Sequence, residues 1–317
     1  MRVRCTDMVH ELARRDERVI YLGSDLSPGL LDEMKAEFPN RHYMEGITEA
    51  HLIGMSAGMA MEGLLPYVHT IATFITRRCY EQVAIDLCLH DLPVRLIGNG
   101  GGYVYAPLGP THQAIEDLAI MRALPNMTVT AACDADEMTR LMDASLDWPH
   151  PIYIRLAKGG EPVISDAARG FEIGRAIDMT GTNACGAEVL LVSTGVATTQ
   201  ALAASEALSK QGIGCRLLHL HTVKPIDVEA LVNAARGVRL VVTVEEHTLV
   251  GGFGSAVLET LSDGLERMPK VRRLGIPDRF SDHYGSQDQL MAACGIDSAG
   301  IHATVARECG SPPDQGL

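Results

Sequence analysis

The sequence has few aromatic residues and no apolar stretch of the length that a membrane-spanning helix requires. Phe, Trp and Tyr make up 4% of its 317 residues, so its cores must be built mainly from aliphatic side chains. The first ten residues include an acid, Asp7, and lack the apolar centre of a secretory signal peptide. We therefore expect a soluble, cytoplasmic protein.

Basic residues are outnumbered by acidic ones. The chain has 27 Lys and Arg residues against 40 Asp and Glu residues, which gives a formal charge of −13. The densest basic pairs, Arg14-Arg15, Arg77-Arg78 and Arg272-Arg273, are far apart in the sequence. Because nucleic acids and anionic membranes bind clustered Lys and Arg, we expect neither as a partner.

Cysteine pairs with the spacing of a metal site or a redox motif are absent. The eight cysteines stand singly, at positions 5, 79, 88, 133, 185, 215, 294 and 309, with no C-x-x-C pair and no histidine at ligand spacing. Most have aliphatic neighbours, which is typical of buried reduced thiols. This pattern favours a reducing compartment, and we predict no metal ligands in this chain.

Common nucleotide-binding and hydrolase motifs are also absent. There is no G-x-x-x-x-G-K-[ST] loop and no G-x-S-x-G elbow. Glycine-containing turns follow predicted strands at 98–102, 193–195 and 251–254, but none fits G-x-G-x-x-G. We interpret these glycines as positions of close backbone packing.

Short apolar runs alternate with helical patterns along the chain. A strand-like run at 18–23 begins one such series, and another at 188–195 begins a second. This alternation favours parallel sheets covered by helices on both faces. We predict two doubly wound α/β domains, at 1–165 and 187–317, joined by a linker at 166–186.

The stretch 46–63 is predicted to be a helix with Thr48 as its N-cap. It is apolar on almost all sides, which indicates a core or an interface, and Gly54 and Gly58 would let another backbone approach closely. Glu49 lies in its first turn, where an acid complements the helix dipole. The residues that follow in the chain suggest a second role for this acid.

Four features follow Glu49: Phe74, the run Arg78-Cys-Tyr-Glu-Gln82, the run Gly109-Pro-Thr-His112, and Ile154-Arg155. In that order they resemble the transketolase family of thiamine-diphosphate enzymes. The resemblance covers nearly the whole chain, but only the C-terminal portion of a full-length transketolase. That portion comprises a pyrimidine-binding domain followed by a C-terminal domain.

The resemblance implies that Glu49 is catalytic and hydrogen-bonds the cofactor's aminopyrimidine ring. Such an acid works best in an apolar setting, where its proton is shared rather than lost. Phe74 matches the aromatic residue that stacks on this ring, and Tyr80 is a lesser candidate for the same wall. Asp25 matches an opening loop near the cofactor. As ordinary residues, Phe74 would belong to a core and Asp25 would order a turn.

The resemblance also implies a set of substrate contacts. His112 matches a substrate-facing histidine with a catalytic role, and Tyr105 is a candidate for the pocket wall. Arg78 matches an arginine of the family's motif. Arg155 matches one that binds a sugar phosphate, a task suited to its planar guanidinium. Without the resemblance, each arginine would be assigned to a surface ion pair and His112 to a structural cap.

The sequence contains no Gly-Asp-Gly, the tripeptide that holds the metal and the cofactor's diphosphate in this family. The resemblance therefore implies a separate pyrophosphate-domain subunit and an α2β2 heterotetramer. It further implies thiamine diphosphate, with Mg²⁺ or Ca²⁺ bound through the partner. The implied reaction is reversible transfer of a two-carbon ketol unit from a ketose, or a ketose phosphate, to an aldehyde.

Two positions depart from the family pattern. Leu108 stands where an Asp reads a substrate hydroxyl, and Asn99 stands where a His or Arg begins the same segment. Because these polar contacts to the substrate are lost, the resemblance supports the ketol-transfer reaction better than it supports a particular substrate. Alternatives are the β subunit of a 2-oxo-acid dehydrogenase, a deoxyxylulose-phosphate-synthase-like enzyme, and a non-catalytic regulatory subunit. The context of His112 favours transketolase over the first, and the missing Asp counts against the second.

The predicted second domain offers little chemistry. His219, His221, Lys224 and the run Glu245-Glu246-His247 stand near predicted strand ends, where α/β sheets can bind ligands. We interpret them as interface or scaffold residues.

Overall fold

The computed structural model describes residues 1–24, 26, 29–180 and 186–310. The strands in these ranges are β1 (Val19–Gly23), β2 (His42–Met44), β3 (Leu65–Ile71), β4 (Arg95–Asn99), β5 (Thr128–Ala131), β6 (Ile152–Leu156), β7 (Ile177–Asp178), β8 (Val189–Ser193), β9 (Cys215–His219), β10 (Thr222–Lys224), β11 (Leu240–Thr248) and β12 (Lys270–Ile276). The α-helices are α1 (Arg2–Arg15), α2 (Asp32–Glu37), α3 (Glu49–Met61), α4 (Tyr80–Gln82), α5 (Asp117–Ala123), α6 (Ala135–Leu146), α7 (Ala197–Lys210), α8 (Val228–Ala235), α9 (Phe253–Gly264), α10 (Gln287–Ala293) and α11 (Ser298–Cys309).

The first sheet has seven strands in the order β10-β5-β6-β4-β3-β1-β2. All neighbours are parallel except β10 and β5, which are antiparallel. Helices cover both faces, with α1 and α6 packed on one and α3 and α5 on the other. Because the strands are parallel, the segments after β1, β3, β4 and β6 all leave from one edge.

The second sheet has five strands in the order β12-β11-β8-β9-β7, parallel except for β7. Its core is aliphatic, as the composition predicts, and includes Leu191, Leu217 and Val242. The two doubly wound α/β units of the prediction are confirmed. The core on the α3 side of the first sheet continues into the second unit through Val192 and Leu220.

Several local features differ from the sequence prediction. α1 was not predicted; it buries Met8 and Leu12 against the first sheet. Within the segment predicted as linker, β7 pairs with β9 as an edge strand of the second sheet. Thr48 does occupy the N-cap position of α3, but its hydroxyl donates to the carbonyl of Glu45 at 3.0 Å instead of capping the helix.

The helical segment after β3 contains two π-helical turns, Phe74–Arg78 and Val83–Leu89, on either side of α4. π-Helical turns are rare and often occur at functional sites. The first of them contains both Phe74 and Arg78.

None of the helices in the described part of the chain is long and apolar enough to cross a membrane.

Candidate active site

Glu49 is the first residue of α3 and is buried, with 2% of its surface exposed. Its Oε2 accepts a hydrogen bond from Arg78 Nη1 at 2.6 Å. Its Oε1 accepts a longer one, 3.4 Å, from Thr70 at the end of β3. One carboxylate oxygen is therefore firmly held, and the other has only a long, weak hydrogen bond.

The expected apolar setting of Glu49 is only partly found. The side chain is buried, but Arg78 forms an ion pair with it. Arg78 is itself half-exposed, and its guanidinium carbon lies 4.2 Å from the centroid of the Phe74 ring. The π-helical turn Phe74–Arg78 thus supplies both the charge and the aromatic ring beside this acid. A guanidinium over a ring face is favourable because the face is negatively polarised.

His112 lies against the same aromatic ring. The His112 and Phe74 ring centroids are 5.3 Å apart in an edge-to-face arrangement, and Tyr105 packs edge-on to His112 at 6.5 Å. Nδ1 of His112 and the hydroxyl of Thr111 are hydrogen-bonded at 2.8 Å. This bond occupies one ring nitrogen and leaves Nε2 as the nitrogen available to a ligand.

Asn99 anchors the Tyr105 side chain. Its Nδ2 donates to the Tyr105 hydroxyl at 2.7 Å. The ring passes so close to Gly100 that a side chain there would overlap it, and Gly100 also has a positive φ of 83°. The glycines after β4 therefore serve close packing, as the sequence indicated. They let Tyr105 fold back toward the sheet edge.

Several buried polar atoms near this group have no hydrogen-bond partner in the described part of the chain. They are Thr73 Oγ1, Asn99 Oδ1, and both amide atoms of Gln113. Thr73 precedes Phe74 and Gln113 follows His112. Because a buried unsatisfied polar atom is costly, this clustering indicates a place where a polar ligand binds.

Two predicted site residues lie elsewhere. Tyr80 packs against the core, and its hydroxyl donates to the carbonyl of Ile120 at 2.9 Å. Arg155 is buried, and its Nε and Nη2 donate to both oxygens of Asp117 at 2.8 and 3.1 Å. Asp25 falls outside the described residues. We therefore do not carry Tyr80 or Arg155 into the proposed site.

Arg155 joins the two halves of the chain. Its Nη2 also donates to the carbonyl of Glu246, on β11 of the second sheet, at 2.9 Å. Burial alone would lower the pKa of Arg155, but the carboxylate of Asp117 keeps it above the usual value. The cavity that Arg155 lines holds only about 10 Å³, room for roughly one water molecule. It is therefore a buried ion pair in a packed interface, not the surface pair or the open phosphate site that the sequence suggested.

Two residues were not identified from the sequence: Asp117, the partner of Arg155, and Gln113, which follows His112. Asp117 begins α5, where an acid is ordinary. Gln113 is adjacent to a motif residue, which is the only sequence signal that points to it. Leu108 is 52% exposed in a short turn, so it adds no polar contact there.

The fold and these grouped side chains define a class, the pyrimidine-binding and C-terminal halves of transketolase-type enzymes. Residues 1–161 match the family "Transketolase, pyrimidine binding domain", and residues 182–301 match "Transketolase, C-terminal domain". The chain belongs to the transketolase family, and the family implies dependence on thiamine diphosphate.

Among the similar proteins are a subunit of a transketolase and a split-gene transketolase. A transketolase-family protein of Sinorhizobium fredii is 37% identical over 93% of this chain and 84% of its own length. One of the subunits of the apulose-4-phosphate transketolase of Phocaeicola vulgatus is 34% identical over 95% of this chain and 94% of its own. A solved split-gene transketolase, an inactive β4 tetramer, superposes with a TM-score of 0.87 at 34% identity and covers 96% and 97%. The chain corresponds to the C-terminal subunit of a split-gene transketolase.

This chain spans slightly less than half the length of some longer enzymes that it matches. 1-Deoxy-D-xylulose-5-phosphate synthase 1 of Geobacter sulfurreducens is 38% identical over 94% of this chain but only 46% of its own. The transketolase structure of Campylobacter jejuni, at 19% identity and a TM-score of 0.75, shares the fold and likewise extends well beyond this chain, which covers 46% of it.

Proposed function

We propose that this chain works in the cytoplasm as the C-terminal subunit of a two-polypeptide transketolase. The reaction is reversible transfer of a two-carbon ketol unit from a ketose, or a ketose phosphate, to an aldehyde. The observation that carries the proposal is the burial of Glu49 at the edge of the first sheet, beside Phe74 and Arg78. Relatives named as transketolase subunits, aligned over nearly their whole length, support it.

The residues fit the pyrimidine end of thiamine diphosphate. Glu49 Oε1 has only a weak hydrogen bond from Thr70, Phe74 offers a ring face, and unpartnered atoms lie on neighbouring residues. When bound, the cofactor supplies the thiazolium carbon that carries the ketol unit. This chain's own task is to bind and orient the pyrimidine ring and to place a proton on it.

Each side chain has a distinct task in this proposal. Glu49 Oε1 hydrogen-bonds a ring nitrogen of the pyrimidine, while Arg78 fixes the orientation of the carboxylate through Oε2. Phe74 stacks on the ring and keeps water from its face. His112, held by Thr111, offers Nε2 to a hydroxyl of the sugar.

The charged end of the cofactor requires a partner. The sequence has no Gly-Asp-Gly, so we assign Mg²⁺ (or Ca²⁺) and the diphosphate to a separate pyrophosphate-domain subunit. The assembly we propose is an α2β2 heterotetramer. The cytoplasmic assignment is supported by the cysteines, because the described ones are all free thiols and most are buried.

The substrate pocket differs from that of a typical transketolase. An exposed Leu108 replaces a hydroxyl-binding acid, and Tyr105, held by Asn99, faces His112 instead. An apolar side chain at this position weakens selection by hydroxyl pattern. We therefore expect the enzyme to accept ketoses that lack a hydroxyl at the position the acid would read.

The test is to combine the chain with a candidate partner that carries Gly-Asp-Gly, such as the product of an adjacent reading frame. The mixture receives thiamine diphosphate, Mg²⁺ and a panel of ketoses, and the transferred ketol unit is measured. Activity is expected only with both chains present, and it should be lost in Glu49→Ala. The matched control is Glu62→Gln, an exposed acid just after α3. Full activity of Glu49→Ala would refute the proposal.

A second candidate is a deoxyxylulose-phosphate-synthase-like reaction, favoured by the identity to such synthases. The same mixture is given pyruvate and an aldose phosphate as a separate arm. Carbon dioxide release from pyruvate, with no transfer from any ketose, would select this alternative.

A further inference from the structure

Four buried side chains meet between the two halves of the chain. Cys133 and Glu137 lie at the start of α6, and His219 and His221 lie at and just after the end of β9. All four are completely buried. We call these four residues the interdomain cluster; none of them belongs to the candidate active site.

Three members of the interdomain cluster have the geometry of a metal site. One ligand atom each from Cys133, Glu137 and His219 lie within 4.8 Å of one another. A sulfur, a carboxylate oxygen and an imidazole nitrogen form a donor set typical of zinc. Sequence spacing could not show it, because the ligands come from the two halves and Glu137 and His219 are 82 residues apart.

Existing hydrogen bonds account for only part of this arrangement. Glu137 Oε2 accepts from the backbone N–H of Cys133 at 2.7 Å and contacts His219 Nε2 at 2.9 Å. Its other oxygen, Oε1, is buried without a hydrogen-bond partner in the residues described, and so is Nε2 of His221. Two buried polar atoms without partners in one cluster indicate that it can bind a further group.

The histidines are oriented as metal ligands usually are. Nδ1 of His219 is hydrogen-bonded to the hydroxyl of Thr198 at 2.8 Å, and Nδ1 of His221 to that of Thr222 at 3.0 Å. Such outer hydrogen bonds fix the ring and leave Nε2 as the ligand nitrogen. The His221 ring is held further by stacking on Phe171, with centroids 4.2 Å apart.

Charge also favours a divalent ion. A thiolate from Cys133 and a carboxylate from Glu137 together cancel the two positive charges of Zn²⁺, and the imidazole of His219 binds as a neutral ligand. A neutral assembly avoids the large cost of an uncompensated buried charge. The ligands of Mg²⁺ sites are oxygens, so the sulfur selects zinc over magnesium.

We propose that the interdomain cluster binds one Zn²⁺, with Cys133, Glu137 and His219 as ligands and the ring of His221, centred 5.9 Å from that of His219, beside them. The ion joins α6 of the first half to β9 of the second and stabilises their packing. This replaces the prediction of no metal ligands, and it does not depend on the proposed transketolase activity.

The experiment measures metal on the full chain purified from zinc-containing medium. About one zinc per chain is expected in the wild type by elemental analysis. Replacement by Co²⁺ should give the near-ultraviolet absorption of a cobalt–thiolate bond. Both should be lost in Cys133→Ser, which preserves shape, and in His219→Gln. The control is Cys88→Ser, a buried cysteine outside the cluster that should keep both signals.

Removing zinc with a chelator gives a second measurement, which can be made on the wild-type chain itself. Removing zinc should lower the melting temperature of the wild type and of Cys88→Ser, but not of Cys133→Ser. A chain that neither contains zinc nor binds added Zn²⁺ or Co²⁺ would overturn the proposal. Equal metal in the wild type and in Cys133→Ser would show an adventitious ion only and would overturn it as well.

Discussion

Arg78 Nη1 donates a hydrogen bond of 2.6 Å to the buried carboxylate of Glu49, and the same guanidinium lies over the ring of Phe74. Arg78 therefore connects the acid and the aromatic ring that we assign to the cofactor. The sequence suggested Arg78 as a substrate contact. Its position favours a role in orienting Glu49, and its half-exposed surface leaves it able to meet a substrate as well.

A double-mutant cycle tests the ion pair between Arg78 and Glu49. Arg78→Gln should destabilise the chain by about 1–2 kcal/mol, because it leaves a buried carboxylate without its charged partner. The value is modest because the Arg78 side chain is 44% exposed. Free energies of unfolding are measured by urea denaturation for both single variants, with Glu49→Gln as the second, and for the double variant. A coupling energy near zero would mean that the pair contributes nothing to stability.

Phe74 provides a test of cofactor binding. In the complex with the partner subunit, Phe74→Ala should raise the thiamine diphosphate concentration for half-maximal activity by about tenfold, since an aromatic stack is worth roughly 1.5 kcal/mol. Phe74→Tyr keeps the ring and serves as the control. An unchanged cofactor requirement in Phe74→Ala would remove this residue from the site.

Tyr80 should behave as a structural residue. Tyr80→Phe removes the hydroxyl that donates to Ile120, which should cost about 0.5–1.5 kcal/mol of stability. The cofactor requirement of the complex should stay at the wild-type value. A weaker cofactor affinity without loss of stability would restore Tyr80 to the cofactor wall.

Glu246 should make stability depend on pH. It is buried and accepts hydrogen bonds from Tyr103 N–H at 2.7 Å and from Gln287. Burial raises its pKa from 4.5 to about 7, even though Arg155 opposes the shift. Between pH 4.5 and about 7 the folded chain therefore keeps a proton that the unfolded chain releases. The stability contributed by this proton is present below pH 4.5 and is lost as pH rises through 7.

Glu246→Gln, which does not ionise, isolates this contribution. As pH rises through that window, the wild type should lose stability relative to the variant. Above the window, the difference between their free energies of unfolding should stay constant. Urea denaturation at a series of pH values measures it, with the exposed Glu62→Gln as control. A difference independent of pH would show that Glu246 does not titrate in the window.

The order of motif residues in the sequence was enough to locate Glu49, Phe74 and His112, because each stands on or after a predicted strand or helix. Parallel strands bring such residues to one edge, and the structure groups them there. The roles of Glu49, Phe74 and His112 stay predictions.

Partners of buried charges could not be derived from sequence. Arg155 binds Asp117, which is 38 residues away, and that contact depends on how the turn after β4 returns to the sheet edge. Tyr80 lies within a motif run, but its hydroxyl reaches Ile120 on α5, and the π-helical turns on either side of α4 are not visible in the sequence. α1 was missed although its buried residues Cys5, Met8, Val9, Leu12 and Ala13 stand at helical spacing in the sequence.

The central claim is that Glu49 controls a proton on the cofactor, and hydrogen exchange tests it most directly. In the complex of both chains saturated with thiamine diphosphate, the exchange of the thiazolium C2 proton with deuterium is followed by NMR after acid quenching. We predict that Glu49→Gln slows this exchange by at least about 100-fold, the usual contribution of a positioned acid, while the cofactor stays bound. Exchange within about twofold of the wild-type rate would contradict the account, because such a residue cannot be the acid that acts on the cofactor.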